Sequence, residues 1–490
     1  MDTKALRQKI LDLAIRGKLV PQDPSDEPAS VLLERIREQK KQMVKEGKLK
    51  AKDIKNDTII FVGEDNLHYE KFQDGSVKCI EEEIPFEVPE GWEWTRLGNL
   101  SSLIQYGLSN SAETQGTHRL LRITDIQDGK VNWKDVPFTT MENAENYLLR
   151  KDDIVFARTG ATVGKSFLVT ELPFESVYAS YLIRIRLFDC ISPSYLYQFF
   201  NSYCYWEQIT DKSVGVGQPN CNGTSLKELF IPLPPLHEQK RIVPAANALL
   251  KYASVIESEM ASLQEIIDLT KSKILDLAIR GKLVPPDPND EPASVLLERI
   301  RDEKEELIKQ GKIKRDKKES VIFKGNDNSY YEKYGEKLPS GWVVTNFETL
   351  LSYEQPTNYI VKNTNYNSEY ETPVLTAGKS FILGYTDEKE NIFSELPVII
   401  FDDFTTESKF VDFPFKVKSS AMKILHINTD LVLPKFAFYL MQATEIDHDN
   451  HQRYWISTYS QEEIALPPLK EQERILSALE QYFKLLNCLL

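Results

Sequence analysis

The sequence has no uninterrupted apolar run of about eighteen residues, so we expect no membrane-spanning helix. Its first ten residues, MDTKALRQKI, are polar and helical in pattern, and we expect no secretory signal there. Cysteine is scarce, because only five occur among 490 residues, scattered and without the CxxC spacing of a metal or redox motif. We therefore expect free thiols in a reducing cytoplasm, with neither a disulfide framework nor a zinc site.

Signatures of catalysis are also missing. We find no helicase motif and no amino-methyltransferase signature, in which Asn or Asp precedes two prolines and an aromatic residue. The stretch RTGATVGKS (158–166) is one residue too short for a phosphate-binding loop, and the segment after it is typical of a strand. DDFTTESK (402–409) is too tightly spaced for a nuclease triad, and His448 and His451 lack a third metal ligand. The sequence predicts no catalytic residue, no metal and no cofactor of its own.

Positive charge is in deficit. The chain has 60 Lys and Arg against 74 Asp and Glu, a net charge of −14. Residues 341–468 alone have 9 basic and 18 acidic side chains. This balance argues against a surface coated with phosphate-neutralising lysines, although a local cleft can still bind nucleic acid.

The most informative feature that is present is an internal repeat. Residues 10–37 and 274–301 are identical except at two pairs of positions, Gln22/Pro286 and Ser25/Asn289. Weaker similarity pairs 59–71 with 321–333, 89–98 with 339–348, and 231–243 with 464–476. Between these markers, 99–230 and 349–463 share no alignment by eye. The chain therefore has a duplicated frame that carries two unlike blocks.

Heptad spacing predicts a long helix over about 240–280, about 39 residues or roughly 58 Å long. Arg280 and Gly281 predict its end, because glycine favours the helix C-terminus and two prolines follow. The same spacing continues at both chain ends. The predicted seam residues are Ile242, Leu249, Ile256, Met260, Leu263, Ile267, Ile274 and Leu277, then Leu6, Ile10 and Leu13, then Ile475, Leu479, Tyr482 and Leu486. An ordinary buried helix of a large domain is the alternative.

The repeat also predicts the fold class and the order of domains. The terminal segments correspond to the two halves of the central helix, as if a circle of two equivalent units were cut inside one long helix. We expect an α+β fold: two mixed α/β domains separated by long helices in an antiparallel coiled coil, with pseudo-two-fold symmetry and terminal helices end to end. The predicted regions are a helical region at 1–50, a connector at 51–90, a block at 91–235, a helical region at 236–320, a connector at 321–340, a block at 341–468 and a C-terminal helix at 469–490.

A shorter amphipathic helix is predicted after each copy of the repeat. The acids and proline of 26–28 and 290–292 are typical of a first helical turn. Val31, Leu32 and Ile36 are predicted to line one face. Because the two segments are identical through their first turns, they suit two copies of one partner.

This frame resembles the specificity subunit of type I restriction–modification systems. The resemblance rests on IPLPPLHEQKRI (231–242), the repeat ILDLAIRGKLVP with its continuation, and the P-x-GW pairs at 89–92 and 339–342. Within the blocks, LLRITDIQDGKV (120–131), DIVFARTGATVGK (153–165), TAGKSFILGYT (376–386) and IIFDDFTTESKFVDF (399–413) are similar to stretches of that family's target recognition domains. The resemblance covers nearly the whole chain.

The resemblance implies a non-catalytic, DNA-binding subunit. Each block would read one half of an asymmetric, bipartite site in double-stranded DNA, and the helices would set the distance between the halves. Two modification (methyltransferase) subunits would dock on the helical regions, and restriction subunits would join through them. S-adenosylmethionine, ATP and Mg²⁺ would be bound only by those partners, and no membrane is involved.

Polar residues of the similar stretches are the candidates for DNA contact, because base edges are read by side chains that donate or accept hydrogen bonds. They are Arg122, Thr124, Asp125, Arg158, Thr162 and Lys165 in the first block, and Lys379, Tyr385, Asp402, Asp403 and Thr405 in the second. A coiled-coil scaffold that joins two protein-binding domains is the rival hypothesis, since it would share the frame without needing DNA. An enzyme acting alone is a third.

Overall fold

The structure is a computed structural model that describes residues 2–50, 54–127, 129–212, 220–311, 338–376, 380–444 and 454–489. It divides into two compact units, Met1–Glu259 and Met260–Leu490. Both units combine helices with several small sheets, and one long helix runs across the division. The α+β prediction with two sheet-rich regions and a long helix is therefore confirmed. Among the described helices, none is long and apolar enough to span a membrane.

The first unit starts with helices and continues into sheets. Its helices are α1 (Thr3–Ile15), α2 (Ala29–Lys45), α3 (Leu97–Leu100), α4 (Pro193–Phe199), α5 (Tyr203–Lys212), α6 (Gly223–Lys227) and the start of α7 (Leu236–Ile279). Its strands are β1 (Ile59–Val62), β2 (His68–Lys71), β3 (Val77–Cys79), β4 (Glu93–Arg96), β5 (Ser101–Tyr106), β6 (His118–Leu121), β7 (Ile126–Gln127), β8 (Lys130–Val131), β9 (Phe138–Thr139), β10 (Ile154–Ala157), β11 (Ser166–Leu168), β12 (Ser176–Tyr178), β13 (Leu182–Leu187) and β14 (Phe230–Leu233).

The second unit has the same plan. Its helices are the rest of α7, α8 (Ala293–Lys309), α9 (Phe347–Leu350), α10 (Pro434–Ala443), α11 (Tyr454–Ser457) and α12 (Leu469–Asn487). Its strands are β15 (Val343–Asn346), β16 (Leu351–Glu354), β17 (Thr372–Leu375), β18 (Ile382–Thr386), β19 (Val398–Asp402), β20 (Ser408–Val411), β21 (Lys416–Val417), β22 (Met422–Ile427) and β23 (Glu463–Leu466).

The two blocks share one sheet topology although their sequences do not align by eye. The first contains a four-stranded sheet in the order β11-β10-β13-β5, and the second has β20-β19-β22-β16. A three-stranded sheet follows in each, β12-β6-β9 and β21-β17-β18, with its first two strands parallel. The apolar residues of β10, β13 and β19 are buried and form part of the core of each block. The polarity pattern therefore preserves the topology while the individual side chains differ.

Within the first unit, α1 packs antiparallel on the start of α7. Arg7 binds Glu257 at 2.9 Å, while Gln22, beyond the end of α1, reaches back to Glu238. Ile10 packs with Ala246 in the same apolar cluster, where the alanines allow close approach of the helix backbones. The antiparallel pairing predicted from the heptads is present here.

Two seam predictions differ from the structure. Leu249 is 40% exposed, and Leu250 packs against the apolar cluster in its place. Spacing alone allows either residue between Ala246 and Ala253, and the contact with α1 selects Leu250. In α12, Ile475 and Leu479 are buried, but Tyr482 is 47% exposed, and the neighbouring Phe483 packs inward.

The remaining seam residues follow a graded pattern of burial. Ile10, Ile242 and Ile267 are buried. The half-buried members are Leu6, Leu13, Ile256, Met260, Leu263, Ile274, Leu277 and Leu486. Within the second unit, Lys271 of α7 donates a hydrogen bond to Asn487 of α12 at 2.6 Å. The end-to-end placement of the terminal helices and the pseudo-two-fold remain predictions.

Each copy of the repeat forms the same joint between a helix end and the next helix. Gly17 and Gly281 both have φ +65°, and the following lysine closes the turn by donating its N–H to Leu13 or Leu277. A side chain at either glycine would also collide with a proline of the P-x-GW segment. The predicted Arg-Gly stop is therefore confirmed, and the ring of that proline explains why only glycine fits.

The arm helices α2 and α8 begin after Pro28 and Pro292, so the acids before them lie outside the first turn. Asp26 instead binds Arg241 at 2.6 Å, and the equivalent Asp290 binds Arg474 at 2.7 Å. Leu32 and Ile36 are buried as predicted, whereas Val31 is 42% exposed and was wrongly placed on the inner face.

Candidate nucleic-acid interface

The loop between β10 and β11 carries three of the predicted DNA contacts. It includes a short turn, Gly160–Thr162, and then returns as β11, as expected for a hairpin and unlike a phosphate-binding loop. Thr162 donates its hydroxyl to the carbonyl oxygen of Thr159 at 3.1 Å, which rigidifies the turn. Lys165 is exposed, and a Cβ on Gly160 would meet only open space. The loop is thus an accessible surface with a fixed backbone.

Arg158 opens this loop in an unusual environment. Its guanidinium carbon lies 4.8 Å from the centre of the Tyr106 ring, and its Nε is buried with no hydrogen-bond partner in the described part of the chain. The Tyr106 hydroxyl in turn accepts the N–H of Gly223 at 2.8 Å. Tyr181, whose carbonyl oxygen accepts the Arg158 N–H, is 60% exposed. The guanidinium of Arg158 is therefore positioned by the Tyr106 ring beside a solvent-exposed surface.

Asp402 ends β19, and the loop that joins β19 to β20 carries Asp403 and Thr405. Asp402 accepts the N–H groups of Phe404 and Thr405 at 2.9 and 3.0 Å, so its carboxylate caps the turn. Thr405 is exposed at the tip. Within each block, these candidates therefore lie near one another at one hairpin. The two hairpins follow the same strand of their four-stranded sheets.

Asp403 is only 3% exposed, and its carboxylate is already engaged. One oxygen accepts the N–H of Trp455 at 3.0 Å, and the other lies 3.4 Å from Nζ of Lys423. This arrangement gives Asp403 a structural role, because reading a base would require breaking a buried ion pair.

The candidates of the three-stranded sheets are arranged differently. Arg122 and Asp125 bind each other through two hydrogen bonds of 3.1 and 2.7 Å, and Thr124 between them is exposed. Tyr385 is half-buried on β18, opposite Pro373. Lys379 lies outside the described residues, as do His448 and His451. Any contact of these residues with DNA stays a prediction.

Sequence reasoning missed Tyr106, Tyr181 and Lys423. Tyr106 ends β5 and Tyr181 directly precedes β13, and both lie outside the motif stretches, although an aromatic residue beside a strand end is a recognisable signal. Lys423 lies within an apolar strand, and only the pairing of β19 with β22 brings it close to Asp403.

Buried polar groups fix the sheet behind the first loop. Arg184 donates to the carbonyl oxygens of Leu148 and Asn146 at 2.6 and 2.8 Å. Arg186 binds both oxygens of Asp153 at 2.7 and 2.6 Å. Burial raises the pKa of Tyr178 to about 12, so this phenol stays neutral beside Arg184. The polar groups of these side chains bind other groups of the same block, and they position the strands that carry the loops.

One group among the described residues has the chemistry of a metal site. The ligand atoms of His68, Glu81 and Glu87 lie within 4.8 Å of one another. His68 Nδ1 is 2.7 Å from a Glu81 oxygen, and the same oxygen accepts the backbone N–H of His68 at 2.8 Å. This hydrogen-bonded pair already accounts for the arrangement, and the absence of a metal stays a prediction.

Several known proteins are similar to this chain. A family model described as the type I restriction modification DNA specificity domain matches residues 89–266. The type I restriction enzyme EcoAI specificity subunit of Escherichia coli is 31% identical over 398 residues, covering 69% of this chain and 61% of that protein. The EcoR124I/EcoR124II specificity subunit of E. coli is 42% identical over 167 residues, covering 33% and 41%. The crystal structure of the HsdS subunit from Thermoanaerobacter tengcongensis is 17% identical, with a TM-score of 0.43, and covers 83% and 92%.

Proposed function

The chain belongs to the family of type I restriction–modification specificity subunits, and we propose that it selects the DNA sequence on which its partner subunits act. In this proposal each block reads one half of an asymmetric, bipartite target in double-stranded DNA. The chain performs no chemistry itself. S-adenosylmethionine is bound by the modification subunits, and ATP and Mg²⁺ by the restriction subunits.

One observation carries this proposal: the blocks present loops of unlike chemistry on the same scaffold. The loop after β10 has Arg158 and Lys165, whereas the loop after β19 has Thr405 at its exposed tip and is capped by the carboxylate of Asp402. Two readers with one topology and different side chains suit two different half-sites, because base edges are distinguished by their patterns of donors and acceptors.

The acidity of the chain supports a division of labour with the partners. Residues 341–468 have twice as many acidic as basic side chains, which is unfavourable for neutralising phosphates. In our proposal the modification subunits supply most of the phosphate contacts. The repeated joint is nearly identical in the two units, and the first turns of the arm helices, 29–37 and 293–301, are identical, which suits two copies of the modification subunit.

The test is to express the chain with its modification subunit in a host that lacks other adenine methylation, and to sequence the methylated positions. We expect a single asymmetric motif of two short parts separated by a fixed spacer. Footprinting of the purified complex should protect the same site. If no protected or methylated motif is found while the complex assembles, the coiled-coil scaffold becomes the better description.

A further inference from the structure

Arg158 and Asp403 occupy equivalent positions in the two units. Each directly follows the second strand of its four-stranded sheet and lies two residues after a phenylalanine, and Phe156 pairs with Ser166 as Phe401 pairs with Ser408. The backbone bonds also correspond. The N–H of Arg158 donates to Tyr181 at 3.1 Å, and that of Asp403 donates to Ala421 at 3.3 Å. The two carbonyl oxygens accept from Cys221 at 2.9 Å and from Tyr454 at 3.0 Å.

The same backbone position therefore carries opposite charges. In the second unit the charge is compensated internally, because Asp403 binds Lys423 and the N–H of Trp455. In the first unit the position equivalent to Lys423 is Ile183, and no carboxylate binds the guanidinium of Arg158 within the described residues. The guanidinium of Arg158 instead stacks on the Tyr106 ring. This contact orients the guanidinium without using its N–H donors.

A half-buried guanidinium with unused donors is costly unless a ligand supplies the acceptors. On DNA, two kinds of paired acceptor fit: phosphate oxygens, and O6 with N7 of guanine. Phosphates are the same in both half-sites, so a position used for phosphate contact would keep its positive charge in both blocks. The charge inverts here, which favours a base contact.

Resting on the proposed function, we propose that Arg158, positioned by Tyr106, reads a guanine in the half-site recognised by the first block. The equivalent position of the second block serves only the fold. Arg158 touches the base, and Tyr106 acts through Arg158 as a positioning residue.

The experiment uses the complete modification complex on a pool of duplexes in which each position of the wild-type motif is varied. Methylation of each duplex is sequenced for wild type, Arg158→Ala and Arg158→Lys. We expect both variants to lose preference for guanine at one position of one half-site, by roughly 10- to 100-fold, with the other half-site unchanged. Arg158→Lys keeps the charge but not the fork, so it separates base reading from general attraction.

Two variants test Tyr106, and a third is a control for charge. Tyr106→Phe keeps the ring and should keep the guanine preference, while Tyr106→Leu should weaken it at the same position. Arg150→Ala removes an exposed cation near the opposite end of β10 and should leave the preference intact.

Two outcomes would overturn the inference. One is an unchanged base preference in folded Arg158 variants. The other is a uniform loss of affinity across sequences with a salt dependence reduced by about one ion, which would indicate a phosphate contact. Failure of the proposed function looks different, because the wild-type complex would then methylate no motif at all.

Discussion

The indole nitrogen of Trp342 donates a hydrogen bond to Oε1 of Glu471 at 3.0 Å, in the joint of the second unit. The other oxygen of this carboxylate, Oε2, is buried without a partner in the described residues. In the first unit the equivalent pair is Trp92 and Glu238, at 2.9 Å, and there Gln22 donates to the second oxygen at 3.1 Å. Position 22 corresponds to Pro286, which has no amide to donate. One of the two differences between the repeats thus removes a hydrogen bond to a buried carboxylate.

We first predict that Gln22→Pro lowers the free energy of unfolding of the first unit by about 1–3 kcal/mol, because it leaves a buried carboxylate oxygen unpaired. The backbone tolerates proline at this place in the other copy. Urea denaturation measures the change. Ser25→Asn is the matched control, since Ser25 and Asn289 make the same bond to Asp23 and Asp287, and it should change stability by less than about 0.5 kcal/mol. Equal effects of the two substitutions would contradict the assignment.

The pH dependence of stability gives a second prediction. Burial raises the pKa of Glu471, against the hydrogen bond from Trp342 and the charge of Arg474. The folded state therefore binds this proton more tightly than the unfolded chain, so the contribution is complete below the unfolded pKa of about 4.3 and is lost as the pH rises through the folded pKa. Glu471→Gln should reduce the loss of stability of the second unit on going from about pH 4 to pH 8.

Glu238→Gln is the comparison for that experiment. Both Glu238 oxygens accept hydrogen bonds. In Glu238→Gln the new NH₂ group would point its hydrogens at the donor of either Gln22 or Trp92, so one of the two hydrogen bonds would be lost. It should destabilise the first unit, whereas the amide at position 471 can place its nitrogen where no donor points. Denaturation curves across the pH range report both variants, and an unchanged slope for Glu471→Gln would refute the pH argument.

A third prediction separates fold from reading in the second block. Asp403→Ala leaves Lys423 buried without its carboxylate and should lower the free energy of unfolding by about 3–5 kcal/mol. Thr405→Ala, two residues away on the exposed tip, should change stability by less than about 0.5 kcal/mol. Thermal denaturation distinguishes them. A stable Asp403→Ala protein with altered base preference would show that Asp403 contacts DNA bases.

The arm helices give a fourth prediction, on partner binding. Val31 and Val295 are equivalent and are 42% and 41% exposed on α2 and α8. Val31→Asp or Val295→Asp should each reduce the bound modification subunits from two to one, and the double variant should bind none, because a charge opposes burial of an apolar contact. Mass photometry counts the copies. Val62→Asp, at a 56% exposed position of β1, is the control, and two copies on the double variant would refute docking through this face.

The fifth prediction concerns the helix as a spacer. Seven residues inserted after Ile256 add about 10.5 Å of helix, close to three base pairs of DNA. The spacer of the methylated motif should lengthen while both half-sites stay the same. Seven residues inserted at Asn66, in the turn between β1 and β2, should change nothing. An unchanged spacer with the helical insertion would show that α7 does not set the distance.

The sequence predicted the frame well because the frame depends on local and periodic signals. The Arg-Gly helix stop, the proline before each arm helix and the heptads of α7 each follow from residues close together in the chain. The sequence could not predict whether Leu249 or Leu250 is buried, because both spacings satisfy a heptad. Only the contact with α1 determines that Leu250 packs inward.

The site was predictable only as a set of loops. Motif positions placed Arg158 and Asp403 among the readers alike, since sequence shows polarity and proximity to a strand end. Their roles diverge through partners that are distant in the chain, Tyr106 for one and Lys423 for the other.

By itself the sequence determined the duplication, the helical frame and the presence of two unlike blocks, because repeats and periodic apolar residues can be read along one dimension. Only the tertiary structure decided that the blocks share one sheet topology, that an acid in one loop is neutralised, and that a cation in the other is not. Charge compensation depends on which strands lie side by side, and pairing between distant strands brings those charges together.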